Sequence, residues 1–122
     1  MDNVTDIEQA IQTHTQWMSQ LRQAVLDALS GIDVQTVRAD SHCEFGKWLR
    51  GPGLSANDRL TDHYLEVRRL HAEFHDLAGK IVELAAAGQV AEAYTLLYGE
   101  YITLSGRLIL AMRAWQASLL GF

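Results

Sequence analysis

Apolar residues recur along this chain at steps of four and three, the spacing that lines one face of an α-helix. No stretch alternates apolar and polar residues as a half-buried strand would. The first periodic run reads Ile7, Ile11, His14, Met18, Leu21, Val25, Ala28. It predicts a helix from about Thr5 or Asp6 to Ser30, closed by Gly31. Residues 32–39 carry no clear period and read as a connector. Asp40 or Ser41 can then cap a short helix that Gly51-Pro52-Gly53 must end, which puts Cys43 in its first turn. Ser55, with Asp58 three residues on, opens a third helix expected to run to about Ala87 and stop at Gly88. Its seam is Leu60, Tyr64, Val67, His71, Phe74, Ala78, Ile81, Ala85. A fourth helix follows almost at once, so it must return antiparallel to the third. Its seam is Ala93, Leu97, Tyr101, Leu104, Leu108, Ala111, Trp115, with a second stripe of Tyr94, Tyr98, Ile102, Ile109 and Met112. A helix apolar on two faces is either the centre of the fold or the seat of an oligomer contact. The pattern specifies an all-α fold: an antiparallel four-helix-type bundle with one additional short, cysteine-bearing helix, in a single domain over residues 1–122.

Composition narrows the class. With 122 residues and 48% hydrophobic content the chain can bury a core of its own. A net charge of −5 argues against nonspecific nucleic-acid binding, which needs clustered Lys and Arg; Arg68-Arg69 is the only adjacent basic pair. One cysteine cannot close an internal disulfide. Residues 1–8 carry three acids and no basic-then-apolar run, unlike a secretory signal. No window supplies the roughly 18 uncharged apolar residues of a membrane span. These features favour a cytoplasmic protein that engages neither membrane nor nucleic acid.

The candidate chemistry lies where polar residues interrupt the apolar seams. His71 and His75 stand four apart on one helix, so both imidazoles project from one face about one turn apart, suited to one metal ion. A zinc protease would carry its glutamate base directly after the first histidine; here that position is Ala72, and Glu73 points elsewhere. His14 occupies a seam position on the first helix, facing the same interior. An isolated seam histidine is more often bonded to a carbonyl or carboxylate, and an isolated cysteine is more often an inert buried thiol. Leaving such imidazoles unsatisfied would cost about 1–3 kcal/mol each, however, and Cys43 sits where a helix N-terminus favours the thiolate. His14, Cys43, His71 and His75 together make a three-histidine, one-cysteine set. That set matches a closed tetrahedral Zn2+ site better than an open catalytic one. His42 and His63 fall outside it.

The residues resemble the chemoreceptor zinc-binding domain, CZB, of bacterial chemoreceptors and diguanylate cyclases. The family's H-x-x-W appears as His14-Thr15-Gln16-Trp17, its C-x-[LF]-G-x-W as Cys43-Glu44-Phe45-Gly46-Lys47-Trp48, and its paired histidines as His71 and His75. The resemblance implies a homodimeric helical bundle with zinc on His14, Cys43, His71 and His75. Trp17 and Trp48 would then be supporting core residues. It further implies a regulatory domain, not an enzyme, that controls a fused or partner output in response to zinc or to oxidants acting on the cysteine. The chain begins with Met1 and its last helix runs to the end uncapped. It is therefore expected to be an N-terminal sensor for a GGEF-type diguanylate cyclase, in cyclic di-GMP signalling. A chemoreceptor-associated domain and a structural zinc-stabilised dimerisation module are the alternatives.

Overall fold

A computed structural model describes residues 3–27 and 44–121. Among them every regular element is helical: α1 (Asn3–Thr15), α2 (Trp17–Asp27), α3 (Glu44–Arg50), a 3₁₀ turn (Asp58–Leu60), α4 (Asp62–Ala86), α5 (Val90–Tyr98) and α6 (Glu100–Leu119). The expected all-α bundle is what forms. The helix following Cys43 is present as α3, while Cys43 itself, like Ala28 and the connector at 32–39, lies outside the described residues.

The apolar seams meet in one core. Ile7, Ile11, Leu21 and Val25 from α1 and α2 pack with Tyr64, Val67, Phe74, Ala78, Ile81 and Ala85 of α4. Ala93 and Leu97 of α5 join them, with Tyr101, Leu108, Met112 and Trp115 of α6. The Tyr101 hydroxyl is buried in this core with no hydrogen-bond partner among the described residues, and burial pushes its pKa up. α6 runs antiparallel to α1: Gln116 Nε2 donates to the Val4 carbonyl at 3.1 Å, and Arg113 pairs with Glu8 at 2.8 Å. α4 turns back into α5 through a helix stop at Gly88. The Gln89 N–H donates to Leu84 O and the Gly88 N–H to Ala85 O, with Gly88 at φ +85°, the left-handed conformation that glycine adopts at least cost.

Three expected continuous helices are interrupted, each for a local reason. The first breaks at Gln16. Thr13 Oγ1, His14 Nδ1 and Thr15 Oγ1 successively bond the carbonyls of Gln9, Ala10 and Ile11, four residues back, and the Gln16 N–H reaches only to Thr13 O. Side chains that bond to the preceding turn weaken and bend a helix. At the third, Ser55 and Asp58 do cap one another reciprocally, at 3.1 and 2.9 Å, but they close only the 3₁₀ turn. Thr61 then takes extended backbone and caps α4 anew through its hydroxyl. Leu60, expected in the core, is consequently 76% exposed. The fourth breaks at Gly99, where an added Cβ would stand 2.9 Å from the Thr95 carbonyl oxygen.

α3 is fastened at its C-terminal end. Tyr64 Oη donates to Leu49 O at 2.9 Å, Arg59 donates to Gly51 O, and Leu49 and Leu54 are buried. Trp48 packs on Trp115 at 5.5 Å, and Trp115 meets Tyr64 edge-on at 5.9 Å.

Candidate metal centre

His14, His71 and His75 converge inside this core. They are 2%, 0% and 1% exposed, values that leave no room for solvation of the rings. Their centroids lie 5.1 Å (His14–His71), 4.6 Å (His71–His75) and 6.0 Å (His14–His75) apart, all edge-on. One ring nitrogen from each falls within 4.8 Å of the others. The helix geometry explains the convergence: His71 and His75 stack one turn apart on α4, and His14 comes from the seam of α1 facing them.

The protonation of His14 follows from its partner. Nδ1 lies 2.9 Å from the Ala10 carbonyl oxygen, which can only accept, so Nδ1 carries the proton and Nε2 keeps its lone pair. That Nε2 is buried and makes no hydrogen bond among the described residues; the same holds for the atoms His71 Nδ1 and His75 Nε2. Burial, chiefly, lowers the His14 pKa to about 4, against the Ala10 bond and with the help of the His75 charge. Burial also lowers His71 to about 2, with repulsion from His75, His14 and Arg50 adding to it. At neutral pH both imidazoles are therefore uncharged, the form that binds metals. A ligand histidine typically donates its other N–H to a carbonyl, and His14 does so. The donor set fits a metal ion. Three imidazoles meeting at one buried point would give a zinc ion nitrogen ligands of the kind it prefers.

The surroundings are aromatic. Phe45 of α3 lies edge-on to His71 at 5.2 Å and to His14 at 5.8 Å; Phe74 does the same to His14 at 5.3 Å and His75 at 5.4 Å. The triad contains no carboxylate among the described residues. Glu73, between the two α4 histidines, faces outward and bonds Arg69 at 2.8 Å with both side chains about half exposed.

Three of the four expected ligand residues thus come together. The fourth, Cys43, lies outside the described residues, as does His42; His63 is only partly buried and lines a surface groove with Asp62, Glu66 and Arg69, away from the triad. Phe45 was legible only as a motif position; its aromatic contact with two of the histidines needed the fold.

A family model, the chemoreceptor zinc-binding domain, matches residues 14–82. Comparisons with curated proteins and with solved structures found no match. The matched span covers more than half of the sequence and runs from the first histidine of the triad to beyond the last; the chain belongs to the chemoreceptor zinc-binding domain family, CZB.

Proposed function

We propose that this chain is a zinc-responsive regulatory domain in which His14, His71, His75 and the Cys43 thiolate hold one Zn2+ ion. The observation that carries the reading is the His14 ring: proton fixed on Nδ1 by Ala10, lone pair on a buried Nε2, and two further histidines at the same point. Cys43 directly precedes α3, whose Phe45 touches two of the three rings, which favours the thiolate as fourth ligand. Zinc would tie α1, α3 and α4 together. Binding only the tied state shifts the ensemble by RT ln(1 + [Zn]/Kd), about 2.7 kcal/mol at a hundredfold excess over Kd. The same linkage gives oxidation of Cys43 a route to the fold. A closed four-ligand site, with no carboxylate grouped with its three histidines among the described residues, suits regulation better than hydrolysis.

The output we infer is a fused or associated signalling domain, first a GGEF-type diguanylate cyclase and second a chemoreceptor, with the domain acting as a homodimer in the cytoplasm. Among the described residues no helix is long and apolar enough to cross a membrane. The competing reading, a structural zinc that never exchanges, predicts that Cys43→Ala leaves backbone protection unchanged.

Metal analysis of protein purified without chelator should give about one zinc per chain. His71→Ala and His75→Ala should each lower zinc affinity by at least 100-fold, roughly the scale of losing one ligand, while His63→Ala leaves it unchanged. Equal losses at His63 and His71 would overturn the ligand assignment. Cys43→Ala should retain weaker binding and speed amide exchange around residues 44–47; identical exchange in the two proteins would favour the structural reading.

A further inference from the structure

We propose that the groove between α4 and α6 is filled by a second copy of this chain, related by a twofold axis that runs along the groove, so that α6 of each copy lies on the partner's α4. The proposal rests on the homodimer reading above and gives it a face. Two hollows lie along the groove, one lined by Leu65, Ala111 and Ala114, the other by Leu77 and Leu104. Leu110, next to Ala111, is exposed at the edge of the first. With its 20 residues α6 spans about 30 Å, and two helices abreast over that length can bury the roughly 800 Å2 per partner of a stable interface.

The charges on the two helices choose the occupant. Tyr64 meets Trp115 at 5.9 Å and Phe74 meets Tyr101 at 5.1 Å, which sets the antiparallel register of α4 and α6. Side chains lean toward the N-terminus of their own helix, so those of antiparallel neighbours converge. By this register Glu73 comes level with Arg107, and Lys80 with Glu100, to within about one helical turn. All four residues are exposed. Within one chain they do not pair across the groove. Glu73 bonds Arg69 on its own helix, and Arg107, Lys80 and Glu100 enter no ion pair among the described residues. A twofold axis along the groove leaves every residue at its own height and exchanges the two helices. It therefore carries Arg107 to the partner's Glu73 and Glu100 to the partner's Lys80, and symmetry repeats both pairs. An axis across the groove would set α6 against α6 and lose them. A uniformly acidic or basic helix from another protein would meet like charge at two of the four positions.

The test exchanges charges one helix at a time. One chain carries Glu100→Lys with Arg107→Glu on α6, the other Glu73→Arg with Lys80→Glu on α4, and each exchange leaves the net charge of −5 unchanged. Paired with itself, either chain meets like charge at every one of these contacts, and sedimentation equilibrium should show self-association weaker by about 10- to 100-fold. Mixed in equal amounts, the two chains meet opposite charge at every contact and should associate within about fivefold of the wild-type Kd, as complementary interfaces do. Far-UV circular dichroism checks that both keep their helices, and none of the four residues is a proposed ligand, so zinc content should stay the same. Exchanged chains that self-associate as the wild type does would overturn this face and leave the dimer to another. Weak association that mixing fails to restore would overturn the pairing of α6 with the partner's α4. A wild-type chain that stays monomeric at tens of micromolar, roughly where specific interfaces hold, would overturn the second copy as occupant together with the homodimer reading.

Discussion

The imidazoles of His14 and His71 are held neutral by their surroundings, and this makes the metal-free protein sensitive to acid. Both folded-state pKa values, about 4 and about 2, lie below the ordinary 6.5, with burial the first cause in each case. As pH falls below about 6.5 the unfolded chain takes up protons that the folded one refuses. The stability linked to these groups is therefore complete above that pH and is lost as pH falls toward about 4, and further for His71. The slope reaches up to about 1.4 kcal/mol per pH unit for each histidine. Thermal melts of metal-stripped protein between pH 8 and pH 4 should show a steady fall in Tm below about 6.5. A flat profile through that window would contradict the buried, uncharged assignment. The histidines were legible in the sequence because a polar ring in an apolar seam stands out. The tautomer of His14 was not, since it depends on a carbonyl one helical turn away.

At the level of elements, periodicity located the seams well and the helix ends less well. Tyr64, Val67, His71, Phe74, Ala78, Ile81 and Ala85 are all buried as their spacing requires. The breaks at Gln16, Thr61 and Gly99 arise from features that a period does not encode: hydroxyls taking the preceding turn's carbonyls, a threonine recapping after a 3₁₀ turn, and a non-helical backbone at Gly99 (φ −115°, ψ −95°), where a side chain would crowd Thr95 O. The fastening of α3 is likewise a tertiary fact, resting on a bond between residues fifteen apart in sequence. Tyr64→Phe removes one buried hydroxyl donor and leaves Leu49 O without it. The expected cost is about 1–2 kcal/mol, with faster amide exchange over residues 48–54 and little change in α6. Uniform acceleration throughout the bundle would mean that Tyr64 acts on global stability and not on α3.

Over the whole molecule, several large apolar side chains stay outside the core. Leu110 is 71% exposed, Leu65 51%, Tyr98 50% and Ile102 49%. The second stripe expected on the last helix is therefore divided: Met112 is fully buried, Ile109 is partly so, and Tyr98 and Ile102 face solvent. A homodimer would cover such a face. Ile102→Glu and Leu110→Glu, made separately, are the informative variants. One of them is expected to raise the dimer Kd at least tenfold, on the order of one buried apolar side chain, as read by sedimentation equilibrium. A wild-type monomer at tens of micromolar, roughly where specific interfaces hold, would remove the dimer.

The clasp between Gln116 and Val4, with Arg113 on Glu8, brings the first and last helices together as neighbours. Topologically the domain is nearly a ring. Opening that ring at the exposed Gly88–Gln89 turn and bridging Gly121 to Asn3 with a flexible glycine–serine linker of about six residues should give a permuted chain with the same helix packing. Such a chain should melt cooperatively and bind the same single ion, because His14, His71 and His75 keep their neighbours while the order of the segments changes. The bundle could then be spliced into a surface loop of an unrelated enzyme, entering and leaving through adjacent points, and carry its buried three-histidine cluster with it.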